Sequence, residues 1–218
     1  MNRFDEISTS LAKVRSEIPD TVTLIVVTKT FPLSDLEILY ELGERHFGEN
    51  RDEEGRAKSA ALPDDLNWHY QGRLQSQKLR SILEWADYIH SLDDLSHARK
   101  IARIAGEIGR IPKVFLQINL DAQDRSPNRS GIDPREVGAA AKVLAELQNI
   151  EVLGVMGIGP LGQDPSPGFQ LLSGLSRELQ EIIPGARFIS AGMSGDFQTA
   201  IALGATHVRI GSSILGSR

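Results

Sequence analysis

Eight short strand-like segments, seven of them followed by a helical pattern, constrain this chain more than any other feature. The clearest is Leu24-Ile25-Val26-Val27, four branched residues that run into Thr28-Lys29-Thr30 before Phe31-Pro32 stops them. An uninterrupted apolar run of this kind suits a strand buried on both faces, as in a parallel sheet. Strands are expected at 23–29, 46–50, 67–72, 88–91, 113–120, 152–156, 188–190 and 207–210. Helical patterns fill 34–43, 51–60, 74–85, 93–108, 134–147, 169–182 and 195–203. Ser34 with Glu37 forms a capping-box pattern, Gly43 closes that helix, Asp93 or Asp94 caps another, and Pro134 opens a third. Phe4, Ile7, Leu11, Val14 and Ile18 fall three or four apart and mark one further helix, over 3–18. A strand and its helix recur about every 25 residues, the (β/α)8 pattern. The expected fold is α/β, a single TIM-type barrel over 1–218 with an extra N-terminal helix. Polar or Gly/Pro-rich loops interrupt the pattern at 121–131 and 157–168, and Ser212 to Arg218 form a last turn or short helix.

A chain of 218 residues is long enough to close such a barrel. The net charge of −5, with basic residues scattered, argues against nucleic-acid binding. With no cysteine, disulfides, zinc-thiolate sites and thiol catalysis are excluded. Met1 to Glu6 is polar, unlike a signal peptide, and no apolar run approaches the ~18 residues of a membrane span. A cytoplasmic protein with no membrane partner is expected. His46, His69, His90, His97 and His207 show no metal-ligand spacing, and His69 and His90 read as satisfied core histidines. Trp68 reads as packing, and the acidic residues as solvated helix faces.

Chemistry in such a barrel lies at the carboxyl ends of the strands, with phosphate held by the loops after strands seven and eight. Lys29 stands at the end of strand one. An isolated lysine there usually just carries its ammonium to solvent past apolar neighbours. The loops Ser190-Ala191-Gly192-Met193-Ser194-Gly195-Asp196 and Gly211-Ser212-Ser213 change that reading. Glycines let backbone amides approach an anion, and Ser194 and Ser212 add hydroxyl donors. As isolated stretches both would be ordinary turns and caps. A lysine desolvated by apolar walls forms a Schiff base with an aldehyde. An aldehyde that also carries a phosphate is pyridoxal 5′-phosphate, and Arg209 on strand eight is suited to its ring nitrogen. Gly157-Ile158-Gly159-Pro160-Leu161-Gly162 fits a dinucleotide fingerprint by spacing, but its prolines keep it from opening into a helix.

These residues lie in segments that carry a resemblance: VVTKTFP around Lys29, HFGENRDEE at 46–54, WHYQGRLQSQK at 68–78, LQINL at 116–120, GVMGI at 154–158, and SAGMSGDFQTAIALGATHVRIGSSILGSR at 190–218. In that order they resemble the pyridoxal phosphate homeostasis proteins (the YggS/PROSC family), whose fold looks like the barrel of alanine racemase standing alone. The resemblance implies that Lys29 carries the cofactor as an internal aldimine and that Asn50 lies beside it. It implies that Ser194, Gly211 and Ser212 hold the phosphate, that Arg209 meets the pyridine nitrogen, and that Met156 and Gly192 line the pocket. Two positions depart from the family pattern. The loop 124–131 lacks the usual lysine, and Ser166-Pro167-Gly168 stand where an arginine usually precedes Phe169.

The implied function is to hold and buffer the cofactor, without robust turnover, and to supply pyridoxal phosphate-dependent apoenzymes. A racemase of the same fold is the alternative. It would need a second catalytic group, a tyrosine that racemases take from a C-terminal domain and a dimer partner, and Tyr40, Tyr70 and Tyr88 lie early in the barrel. A lysine-dependent aldolase would carry its lysine on a later strand, where strand six offers Met156. A barrel with no ligand chemistry is the remaining reading. Without the racemase dimer interface, a monomer is expected.

Overall fold

The computed structural model describes residues 2–121, 130–160 and 162–217. Helix α1 (Arg3–Ser16) leads into β1 (Thr23–Val27), and α2 (Leu33–Glu41) leads into β2 (His46–Glu49). The next units are α3 (Asp52–Ala61), β3 (Asn67–Tyr70), α4 (Leu79–Trp85), β4 (Tyr88–Leu92), α5 (Leu95–Ile108) and β5 (Lys113–Gln117). A 3-10 turn (Pro134–Glu136) enters α6 (Val137–Ala145), followed by β6 (Glu151–Met156), α7 (Ser166–Ile182) and β7 (Phe188–Ser190). The chain continues through α8 (Phe197–Ala202), β8 (His207–Ile210) and α9 (Ser212–Leu215). The eight strands are parallel, follow one another in order, and close by pairing β1 with β8. This is the expected (β/α)8 barrel with an extra N-terminal helix.

Alternation along each strand divides the interior in two. Leu24, Val26, Phe47, Val114, Leu116, Val155, Val208 and Ile210 point outward into one large apolar layer shared with the helices. The opposite faces fill the lumen, where Tyr88, Phe115, Leu153 and Met156 form a separate small cluster with Phe188 beside it. The remaining lumen side chains include buried polar ones: His69, His90, Ser190, His207 and Arg209. His69 and His90 are therefore core histidines with polar partners, as the sequence suggests. Trp68 packs edge-on against Phe47 and Trp85.

Helix α1 buries Ile7, Leu11 and Val14 and packs on α2 and α9. Arg3 donates to both carboxylate oxygens of Asp35 (3.1 and 2.6 Å) and to the Leu215 carbonyl (3.0 Å), so one side chain ties the first helix to the second and to the last.

Several boundaries differ from expectation. Strand β1 ends at Val27, two residues before Lys29. The Thr28 amide still donates to Gly48 O (2.9 Å), but Phe31 N then turns back to Thr28 O (3.1 Å). The capping box at Ser34 does not form, because α2 begins one residue earlier with Pro32 at its N-cap position. Gly43 closes α2 at φ +94, and Asp94 rather than Asp93 caps α5, accepting from Ser96 N at 2.6 Å. Helix α4 starts at Leu79 instead of Leu74. Helix α7 starts at Ser166, three residues early, because the first turn accepts Pro167 and Asp164 accepts from the Ser166 amide at 2.9 Å. Most of the polar loop expected over 121–131 lies outside the described residues.

Strand β6 depends on Gly154. A Cβ there would stand 1.8 Å from Phe188 O on the paired strand. Gly154→Ala must push β7 away, and overpacking of this kind costs about 1–3 kcal/mol. The expected result is a lower urea midpoint with an unchanged slope.

Candidate functional site

Beyond β1, the backbone around Lys29 is held by a buried ionic cluster. Glu49, the last residue of β2, is fully buried and accepts from Thr28 Oγ1 at 2.7 Å. Lys58, on α3 and also buried, donates to Thr28 O (2.8 Å), Glu49 Oε1 (2.7 Å) and Glu54 Oε1 (2.7 Å). The same Glu54 oxygen accepts from Thr30 N at 2.6 Å. Thr28 and Thr30 are therefore both fastened, one on each side of Lys29. Thr30 sits at φ +68, a left-handed conformation that a β-branched residue seldom adopts. Burial pushes the Glu49 carboxyl above its ordinary value, with Lys58 and Thr28 pulling the other way.

Two expectations change here. The acidic residues are not all solvated faces: Asp35, Glu44, Glu49 and Asp52 are buried, and each finds a donor. Lys29 itself is exposed, so the protein alone does not desolvate its amine as a buried strand-end lysine would require. Among the described residues that amine has no hydrogen-bond or ion-pair partner.

The facing wall comes from the last two units. Gly192 turns at φ +94, where a Cβ would stand 2.8 Å from both Ala200 Cβ and Phe197 Cα. Its carbonyl accepts from Arg209 N at 2.9 Å. This turn carries Ser194 to the start of α9, where Ser212 Oγ donates to Ser194 Oγ at 3.1 Å and Ser213 N approaches the same oxygen at 3.4 Å. The two loops singled out in the sequence therefore meet.

Arg209 crosses beneath them. Its Nη1 donates to Ser190 Oγ at 2.8 Å and its Nη2 to Gly157 O at 3.1 Å. Burial draws its pKa down to about 10, against the pull of Asp196. That bond is the role the structure gives Gly157. Among the described residues of the G-x-G-x-x-G segment and the stretch after it, no helix begins before Ser166, so the segment does not open directly into a helix as a dinucleotide turn does.

Lys29, Ser194, Arg209, Gly211 and Ser212 line one cleft of about 450 Å³ at the carboxyl end of the barrel. Gln71, just past β3, lines it too, and its buried Nε2 has no acceptor among the described residues. Sequence reasoning passed over Gln71. Its place in the WHYQGRLQSQK segment at 68–78 was the available signal. Asn50 lines a different cleft, of about 510 Å³, with its buried Oδ1 unpartnered among the described residues. Met156 sits in the lumen cluster and Gly192 beneath α8, and neither lines the Lys29 cleft. Among the described residues no group of His, Asp or Glu is arranged to hold a metal ion, and no helix is long and apolar enough to cross a membrane.

The buried cluster gives a signed prediction. Lys58→Met leaves Glu49 buried without its cation, a change that costs about 3–5 kcal/mol. The Glu49 pKa then rises further, so the folded state keeps a proton that the unfolded chain releases above its ordinary value of 4.5. Stability that depends on this proton is present at low pH and lost as pH rises through the raised value. Urea titrations from pH 4 to 8 should therefore show the deficit of Lys58→Met growing with pH, and Glu49→Gln in the same background should flatten that trend.

Residues 3–218 match the family model of the alanine racemase N-terminal domain. A pyridoxal phosphate homeostasis protein of Synechocystis is 39% identical over 214 residues, 95% of this chain and 96% of its own. The structure of PipY from Synechococcus elongatus solved with PLP bound superposes at TM-score 0.88, with 40% identity over 96% of this chain and all of PipY. An alanine racemase from Clostridium difficile shares the fold at TM-score 0.83 but only 16% identity, with 98% of this chain covering 57% of the enzyme. The chain belongs to the pyridoxal phosphate homeostasis protein family, built on the fold of the alanine racemase N-terminal domain.

Proposed function

We propose that residues 1–218 act as one barrel unit that binds pyridoxal 5′-phosphate and serves its intracellular homeostasis. The observation that carries the reading is the single cleft in which the Lys29 amine, the Ser194–Ser212 pair and the Arg209 guanidinium converge. The residues present fit this group. A free amine meets an aldehyde, two hydroxyls meet a phosphate, and the buried Nε2 of Gln71 awaits an acceptor. When bound, pyridoxal phosphate supplies an aldehyde that forms a Schiff base with a lysine. Lys29 is the residue for that bond, Ser194, Gly211 and Ser212 hold the phosphate, and Arg209 faces the ring nitrogen. Asn50 borders the cofactor, and Met156 and Gly192 support the pocket from behind. The chemistry calls for an exposed amine before binding and a covered one afterwards, which accounts for the exposure of Lys29.

The same reading has the protein hold the cofactor without robust turnover. An arginine, always charged at neutral pH, opposes protonation of the ring nitrogen and weakens the ring as an electron sink. A positioned second acid–base group contributes about 10²–10⁴-fold to proton transfer. The three tyrosines are engaged elsewhere. Tyr40 reaches Asp65 at 3.3 Å, Tyr88 receives Lys113 at 3.2 Å, and Tyr70 donates to Arg73 O at 3.1 Å with its pKa pushed up to about 12 by burial. The proposal includes a monomeric, cytoplasmic carrier whose recipients are pyridoxal phosphate-dependent apoenzymes.

The test is borohydride reduction of the loaded protein followed by peptide mapping. The reduced cofactor should be found on Lys29, and Lys29→Ala should lose the visible absorption while staying folded. Label on Lys78 or Lys113 instead would overturn the assignment. Each charge-assisted hydrogen bond to phosphate contributes roughly 1.5–3 kcal/mol, so Ser194→Ala or Ser212→Ala should weaken binding about tenfold or more. Pyridoxal without its phosphate should bind poorly. Amino acids should undergo little Cα deuterium exchange in heavy water, and exchange with inversion that is lost in Lys29→Ala would return the chain to the racemases.

A further inference from the structure

The lumen contains a continuous row of polar contacts that runs from Arg209 to the opposite end of the barrel. Ser190 Oγ, which accepts from Arg209 Nη1, lies 2.8 Å from His90 Nδ1. His90 Nε2 lies 2.8 Å from His69 Nδ1, and His69 Nε2 lies 2.9 Å from His46 Nδ1. His69, His90 and Ser190 are wholly buried, while His46, the first residue of β2, is partly open at the amino-terminal floor.

Every nitrogen in this row that faces a neighbour must be either donor or acceptor, and Arg209 decides which. A guanidinium only donates. Ser190 Oγ is thus an acceptor towards Arg209, and its own hydrogen has His90 Nδ1 as its one acceptor among the described residues. The reverse order would bury a hydroxyl hydrogen with nothing to receive it, which folded proteins avoid. With Nδ1 accepting, a neutral His90 carries its hydrogen on Nε2 and donates to His69. His69 in turn donates from Nε2 to His46 Nδ1, and His46 ends with a hydrogen on Nε2.

A charged ring in the row is opposed from every side. Burial holds His69 and His90 well below the ordinary 6.5, with Arg209 and His207 acting on His90 in the same direction. His46 is lowered by burial and by Arg15 of α1 and Lys113 of β5, and it also faces His69 of β3, Tyr88 of β4 and His207 of β8.

We propose that His46, His69, His90 and Ser190 are positioning residues that form a one-way hydrogen-bond row, ordered by Arg209 and holding its guanidinium as a donor towards the cleft. Each ring accepts on the Arg209 side and donates on the floor side. A proton arriving at the floor meets a nitrogen that already carries hydrogen, so the row does not deliver protons to Arg209. The link from this row to the ring nitrogen of pyridoxal phosphate rests on the function proposed above.

Long-range ¹H–¹⁵N correlation spectra of histidine-labelled, cofactor-free protein at neutral pH test the order. His46, His69 and His90 should all appear as neutral rings protonated at Nε2. An Nδ1–H tautomer or an imidazolium at any of the three overturns the proposal. Arg209→Met removes the group that sets the direction. His46, which does not touch residue 209, should then show a mixture of tautomers, while His97 on α5 keeps its wild-type signals as a check on folding. An unchanged His46 in that variant also overturns the proposal. In loaded protein, Ser190→Ala should retain cofactor but shift its absorption maximum, and an unshifted maximum sinks the positioning role. A chain that takes up no pyridoxal phosphate would refute the proposed function, and the tautomer spectra would still decide the row by themselves.

Discussion

Closure of the barrel by the β1–β8 pairing is the constraint on which the cleft depends. The register sets Ile25 beside Arg209 and Val26 beside Ile210. The residues that follow each strand, Lys29 on one side and Gly211 to Ser213 on the other, are thereby brought to the same rim. No local propensity could do this, since about 180 residues of chain separate them. The Ser194 turn joins the rim through β7, which pairs Ser190 with His207. An open sheet with the same strands would leave the amine and the hydroxyl pair at opposite edges.

The tilt of the strands explains the histidine row. In a closed barrel, strand inclination and stagger mean that neighbouring lumen side chains sit on a diagonal. His46 pairs with Asn67 and touches His69, two residues further up β3. His69 pairs with Tyr88 and touches His90, again two residues further up. Ser190 pairs with His207 and receives Arg209, two residues up β8. Each of these three steps rises by one inward-facing position, while the His90–Ser190 contact between them crosses the lumen from β4 to β7. Lumens of such barrels usually fill with branched aliphatics. Here rings stack instead, His69 on Tyr88 at 4.2 Å and His90 on Phe115 at 4.6 Å, so the polar row keeps aromatic packing on its flanks.

Much of this was legible in the sequence and some of it was not. Short strand segments set between helical stripes located all eight strands, because each pattern is a local consequence of burial. Ser194 and Ser212 were legible as donors because glycines flank them in the two loops where barrels hold phosphate. The end of β1 was misplaced because Thr28 and Thr30 have strand-forming side chains, while Thr30 φ is dictated by Glu54 on a different helix. The acidic residues read as solvated helix faces, and nine residues of separation give no sign that Glu49 and Lys58 meet in the core. Gln71 lies within the WHYQGRLQSQK segment but no chemistry singles it out there, and only the absence of an acceptor for its buried Nε2 among the described residues draws notice.

The Glu49–Lys58–Glu54 cluster answers a problem that the chemistry proposed for Lys29 would create. An amine that must meet an aldehyde cannot itself be tied into an ion pair, yet its backbone must not wander. Strained backbone persists only where surrounding contacts over-determine it, at a cost of order 1–3 kcal/mol per residue. Here three acceptors converge on Lys58, and two of those oxygens also hold Thr28 Oγ1 and Thr30 N. The ion pair is therefore spent on the residues either side of Lys29 and not on Lys29. Burial makes that cluster rigid, because Glu49 can neither rotate into water nor lose Lys58 cheaply. A solvent-exposed pair in the same place would contribute at most about 1 kcal/mol and would let the turn relax. The buried charges, unexpected from the sequence, are what allow an exposed lysine to stand at a fixed position.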